Sequence, residues 1–202
     1  HVITEAMKLA FLDRYAYVSD RDHVPVPYDG IVTRSYAKER AALIDLTRAR
    51  PFSPGDPWQH QGSGSRIFER LGVDLAGLTG GAKGPNPDQD TTFMVTADES
   101  GNIMLITSSN FSNCKVVVPG LGFQLNDSMS GANPAPGHAL SIAPGKRILR
   151  NSGPTLLFKD GIPAMALSAP GGRKIITGTI TCIVNMVDYG MGVQAALDAP
   201  RL

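Results

Sequence analysis

Several common kinds of chemistry are excluded by what this chain has little of. Two cysteines, Cys114 and Cys182, are too few for a disulfide framework and too far apart for a zinc motif, so both are expected to be unpaired. The four histidines, His1, His23, His60 and His138, lack metal-ligand spacing such as H-E-x-x-H, and a structural or solvent-facing role is the default for each. No G-x-S-x-G elbow occurs. Charged residues make up 18% of the chain and nearly cancel at a net charge of +1. The small basic groups Lys146-Arg147 and Arg173-Lys174 do not interleave with aromatics, so nucleic acid is not an expected partner. Apolar runs fall short of the roughly 20 residues that span a bilayer. The first residues carry no secretory signal, but a chain that starts at His1 leaves its compartment open on this ground.

What is present fits a globular protein with a core, since 42% of residues are hydrophobic. Residues 2–17 carry Ile3, Met7, Ala10, Phe11 and Leu12 as a helical stripe with Glu5, Lys8, Asp13 and Arg14 between them. That helix has no N-cap signal. Val24-Pro25-Val26-Pro27 reads as an extended connector, and a second helix is expected from Thr33 or Ser35 to about Leu46, its faces set by Tyr36, Ala37, Arg40, Leu43 and Ile44. Residues 50–90 read mostly as linker or processed spacer, with one or two helical turns at 65–71.

Beyond the linker the pattern changes to hairpins. Residues 91–97 and 103–106 form one, around a turn at 98–102, and 115–118 reads as a third short strand. A Gly, Pro and Asn-rich loop covers 131–145. Residues 155–158 and 164–167 flank Lys159-Asp160-Gly161 as a second hairpin. Pro170-Gly171-Gly172 precedes a segment with Ile176, Ile180, Ile183, Val184 and Val187 at helical spacing, closed by Gly190. Hairpins alternating with amphipathic helices predict an α+β layer architecture.

Thr91-Thr92 opens the first hairpin straight after a loop whose Gly84, Pro85 and Pro87 exclude regular structure. If the chain were cut before Thr91, one residue would hold both a γ-hydroxyl nucleophile and an α-amine, with a pKa of about 8, able to act as its base. The alternative is that two β-branched residues simply begin a strand. Gly171-Gly172 likewise reads either as a plain turn before a helix or as a pair of closely approachable amides at a helix N-terminus.

Taken in order, Asp90-Thr91-Thr92, Asp98, Gly101-Asn102, Val117 to Phe123, Leu125-Asn126, Pro144 to Arg147, Ala169 to Gly172, Val187 to Met191 and Asp198 to Arg201 resemble the gamma-glutamyltransferase (glutathione hydrolase) family of N-terminal nucleophile hydrolases. The stretches 5–20 and 36–45 resemble the end of that family's large subunit. The resemblance implies a four-layer αββα sandwich, incomplete at both ends here. It also implies a precursor that cuts itself between Asp90 and Thr91, with 1–90 from the large subunit and 91–202 from the small one. Thr91 is then the nucleophile, and Gly171 and Gly172 form the oxyanion hole. Thr107, Ser109 and Asn110 orient the nucleophile and hold substrate. No metal or organic cofactor is implied, the substrate is a small gamma-glutamyl or other acyl amide, and the compartment is periplasmic or extracellular.

Departures from the family pattern bear on the substrate. Phe93 stands where transferases have histidine, Gly131 stands near the expected aspartate, and Arg150-Asn151 replaces a serine pair. Asp127 and Arg150 are the candidate replacement partners for a charged head group. Gamma-glutamyl transfer or hydrolysis is the first expectation. An acylase of the cephalosporin-acylase type and a non-catalytic homologue are the alternatives. Because family members extend beyond both ends, the 202 residues alone are expected to leave edges uncovered and not to form a competent enzyme.

Overall fold

A computed structural model describes residues 1–62, 90–111 and 114–201. The possible helical turns at 65–71 lie outside the described residues. Those described fall into two compact units, one drawn from His1–Ala82 and Gly131–Leu149, the other from Lys83–Ser130 and Arg150–Leu202. Among the described residues, helices and two small antiparallel sheets give an α+β arrangement.

The first unit is helical. Helix α1 (Val2–Tyr17) has no side-chain cap, as its sequence predicts. Its buried face differs from the expected stripe, because Glu5 and Asp13 point inward with Met7, Leu9, Ala16 and Tyr17, whereas Ala10 is exposed. Dense hydrogen bonding makes those buried carboxylates tolerable. Asp13 accepts from Arg40 Nε at 3.0 Å and Nη2 at 3.1 Å, from Tyr36 Oη at 2.9 Å and from the Gly55 amide at 2.8 Å. Glu5 accepts from Lys8 Nζ at 2.8 Å and the Arg50 amide at 3.0 Å.

A short helix not foreseen from sequence, α2 (Tyr28–Ile31), follows the proline connector. Helix α3 (Arg34–Ala41) starts where expected because Thr33 Oγ1 accepts from the Tyr36 amide. It stops at Ala41, earlier than the expected Leu46, and buries only Tyr36 and Arg40, one turn apart. A 3₁₀ turn at Pro57–His60 is capped by Asp56. The loop at 131–149 is tied to the end of α1 by Asp20, whose buried carboxylate accepts from the Arg147 amide at 2.8 Å and Nη1 at 2.9 Å.

The second unit holds the hairpins. Strands β1 (Asp90–Ala97) and β2 (Ile103–Phe111) pair antiparallel from Ala97 opposite Ile103 to Thr92 opposite Ser108. The register shifts between Asp90 and Thr92, since Asp90 faces Phe111. Strand β2 is longer than predicted and alternates half-buried and exposed residues along its length. The expected strand at 115–118 is absent; only an isolated bridge joins Val117 to Gln124. Gly120 and Gly122, at φ 79° and 70°, turn the chain too soon for a ladder to grow.

Strands β3 (Thr155–Lys159) and β4 (Ile162–Leu167) form the second hairpin. Its turn is two residues rather than three: Asp160 and Gly161 both have positive φ, 53° and 79°, the conformation that matches strand twist in tight hairpins. Helix α4 (Lys174–Val187) confirms the predicted segment but rotates its inner face. Ile175, Thr179, Thr181, Cys182 and Asn185 are buried, while Ile180 and Val187 are exposed. Gly190, at φ 66°, lies just past its end. Helix α5 (Val193–Asp198) packs on α4 through fully buried Ala196, whose carbonyl lies 3.8 Å from Cys182 Sγ. Both cysteines are free.

Candidate active site

The β1–β2 register puts Thr91 on the same sheet face as Thr107, Ser109 and Phe111. Thr91 Oγ1 donates to Ser109 Oγ at 3.3 Å. This hydroxyl pair opens into a cavity of about 270 Å³ lined from three directions. The β1–β2 sheet supplies Thr91, Thr107, Ser109 and Phe111; the connector before β3 supplies Arg150, Asn151 and Ser152; the turn before α4 supplies Gly172 and the first turn of α4 supplies Ile175. Thr107 Oγ1 is buried there without a hydrogen-bond partner among the described residues.

The turn just before α4 carries two glycines whose backbone demands glycine. Gly171 has φ 121° and Gly172 φ 59°, both in the left-handed half of conformational space. Their carbonyls accept from the amides of Lys174 and Ile175. Among the described residues, neither glycine amide donates to another protein group. Helix α4 also has no side-chain cap. These two unpaired amides lie just before the N-cap, Arg173, of a 14-residue helix, the end whose dipole favours negative charge nearby.

Phe111 holds φ 55°, a left-handed conformation that bulky residues rarely adopt. The Arg150 guanidinium lies over its ring, 4.8 Å from the centroid. The site thus gathers Thr91, Thr107, Ser109, Arg150, Asn151 and Gly172 of the residues singled out from sequence. Gly171 adjoins the cavity without lining it. Asn110 sits on the opposite, exposed face of β2, and its carbonyl accepts from the Asp127 amide at 3.3 Å. Asp127 does not line the cavity. Asp90 is the first residue of β1. Gly131 belongs to the first unit, with the Leu149 carbonyl close to where its Cβ would be.

Phe111, Ser152 and Ile175 line the cavity without having been singled out from sequence. Phe111 follows Ser109 by the period of two, a signal that was available. Among the described residues, no group of three or more His, Cys, Asp or Glu is placed to hold a metal, and no helix is long and apolar enough to cross a membrane.

All of residues 1–202 match the gamma-glutamyltranspeptidase family. This chain belongs to that family. Family relatives include the Acylase ACY 1 proenzyme of Pseudomonas sp. (strain SE83), 35% identical over 205 residues, which cover 100% of this chain and 32% of the relative. The glutathione hydrolase proenzyme of Bacillus subtilis subsp. natto is 32% identical over 204 residues, covering 100% of this chain and 33% of the relative. The chain therefore spans about a third of the length of the curated relatives it matches. Among solved structures, cephalosporin acylase from Bacillus halodurans matches with a TM-score of 0.73 and 29% identity over 98% of this chain and 31% of that one. Gamma-glutamyltranspeptidase from Pseudomonas nitroreducens, complexed with L-DON, matches with a TM-score of 0.51 and 31% identity over 54% of this chain and 62% of that one.

Proposed function

We propose that the whole protein is an autoprocessing N-terminal-threonine amidohydrolase or acyltransferase with Thr91 as its nucleophile. One observation carries the reading: Thr91, its hydroxyl bonded to Ser109, lines the same small cavity as Gly172, whose amide has no partner among the described residues. In this reading residues 1–90 end the large subunit, residues 91–202 begin the small one, and both belong to a four-layer αββα sandwich. Relatives named as proenzymes support a precursor that is cleaved.

Thr91 Oγ attacks the Asp90 carbonyl carbon, the C–N bond breaks, and the acyl group moves to oxygen as an ester. Water hydrolyses the ester, giving the Asp90 carboxylate and a free Thr91 α-amine. That amine takes the Oγ proton when Oγ attacks a substrate amide. The tetrahedral oxyanion is stabilised by backbone donors at the head of α4, with Gly172 nearest the cavity and Gly171 beside it. Collapse expels the amine product with the transferred proton and leaves an acyl-threonine ester, which water or an acceptor amine resolves.

Gamma-glutamyl amides such as glutathione are the first substrate class, supported by the glutathione hydrolase relatives. The acylase reading, with a different acyl group, is favoured by Arg150-Asn151 in the cavity wall and by the match of cephalosporin acylase to 98% of this chain. Replacing Thr91 by Ala and by Ser tests the common core. Alanine should abolish both self-cleavage and amide turnover, and serine should keep a measurable part of each. Amide turnover that survives Thr91→Ala would overturn the proposal.

A further inference from the structure

The antiparallel ladder of β1 and β2 breaks at the candidate nucleophile. Asp90 faces Phe111 and Thr92 faces Ser108, so Thr91 alone stands opposite two residues, Ser109 and Asn110. That one-against-two count is a β-bulge, a device that bends a strand, re-aims side chains and concentrates beside active sites. The extra length is held from outside the ladder, the Asn110 carbonyl accepting from the Asp127 amide at 3.3 Å. Phe111 closes the bulge at φ 55°. Glycine takes that conformation freely, a phenylalanine persists in it where its surroundings fix it, and a β-branched residue is an outlier there.

In that conformation the Phe111 amide turns back along its own strand and donates to Ser109 Oγ at 3.0 Å. The same oxygen accepts from Thr91 Oγ1 at 3.3 Å. A serine oxygen has two acceptor lone pairs, so the amide occupies one and fixes the other toward Thr91. The Thr91 proton is thereby directed at Ser109, and the Thr91 lone pairs stay available for attack. The bulge also places Asp90, whose carbonyl is cleaved in the reading above, opposite its closing residue. The Phe111 ring does something separate, lying under the Arg150 guanidinium at 4.8 Å.

We infer that Phe111 is a positioning residue for self-cleavage, acting through its left-handed backbone and not through its ring. The inference rests on the Thr91 reading above and adds no chemical step to it. The Phe111 amide bonds Ser109 rather than a reacting atom.

The test uses the full-length precursor made by cell-free translation, with the appearance of two chains timed on denaturing gels. Phe111→Leu and Phe111→Ile carry isomeric side chains that differ in branching at Cβ, and Phe111→Gly carries none. Self-cleavage should be about tenfold or more slower in Phe111→Ile than in Phe111→Leu, the scale of the left-handed penalty. Phe111→Gly should match or exceed Phe111→Leu. A role in packing alone gives a different order, with Phe111→Gly slowest and the two isomers alike. Thermal melting of the same variants in a Thr91→Ala precursor shows which of them fold; if Phe111→Ile does not, the order of Phe111→Gly and Phe111→Leu decides. Equal rates in folded Phe111→Leu and Phe111→Ile, or a Phe111→Gly slower than Phe111→Leu, would overturn this inference alone. Self-cleavage that survives Thr91→Ala would overturn the nucleophile reading, and this inference with it.

Discussion

Replacing Gly172 by valine tests whether the head of α4 supplies the oxyanion donors. Gly172 has φ 59°, where an L side chain costs about 1–2 kcal/mol and a β-branched one is a conformational outlier. Valine therefore forces the backbone out of the left-handed region and turns the amide away from the cavity. Loss of one oxyanion donor raises the barrier by about 2.7–4 kcal/mol, or roughly 10²–10³ in kcat. Alanine at the same position keeps the backbone near its native conformation at a cost of about 1–2 kcal/mol in stability. It should keep kcat within roughly tenfold. Single-turnover acylation rates and KM, read beside thermal melting, separate the two effects. Valine should lower acylation far more than binding, since the donors act mainly in the transition state. A near-normal turnover number for Gly172→Val in a folded, self-cleaved enzyme would refute the assignment.

Ser109→Ala should lower kcat roughly 3- to 10-fold with little change in KM. The 3.3 Å contact to Thr91 is long for two hydroxyls and is worth only about 0.5–1.5 kcal/mol. Ser109→Thr should restore the rate, and an unchanged kcat in Ser109→Ala would remove Ser109 from the positioning of Thr91. Asp13→Asn should cost about 3–5 kcal/mol in stability, because it leaves the Arg40 guanidinium uncompensated in a buried network. A denaturant midpoint within error of wild type would contradict that. Stability should fall on acidification. Lys8 and the Arg50 amide hold the Glu5 carboxyl low, Arg147 does so for Asp20, Thr47 for Asp45 and Asn102 for Asp98. Carboxylates with lowered folded pKa values stabilise above about pH 4, and that stabilisation is lost as pH falls through those values. His138, lowered by burial and then by Lys146, adds an earlier decline below about pH 6.5, since the unfolded chain protonates first. A melting temperature that stays flat from pH 7 to pH 3 would contradict both assignments.

Much of the architecture could be read from local sequence because its signals are local. Thr33 caps α3 through its own side chain, and Asp160-Gly161 defines a tight hairpin turn. The inward faces of α1 and α4 were less legible. Glu5 and Asp13 are buried because distant groups bind them, Arg50 in one case and Arg40, Tyr36 and Gly55 in the other. No window around α1 contains those partners. In α4, Thr179 and Asn185 are buried while Ile180 and Val187 face out, so hydrophobic spacing rotated the helix. At the site, strand alternation brings Thr107 and Ser109 to the Thr91 face and sends Asn110 to the other. The stacking of Arg150 on Phe111 joins two residues far apart in the chain, and it became visible only in three dimensions.

The central claim is that Thr91 becomes an N-terminal nucleophile by cleavage of its own peptide bond. Intact mass with N-terminal sequencing of the full-length product tests this most directly, alongside Thr91→Ala. The account predicts two chains in the wild-type protein, the smaller beginning at Thr91, and one uncut chain in Thr91→Ala. An active wild-type protein with the Asp90-Thr91 bond intact would contradict it.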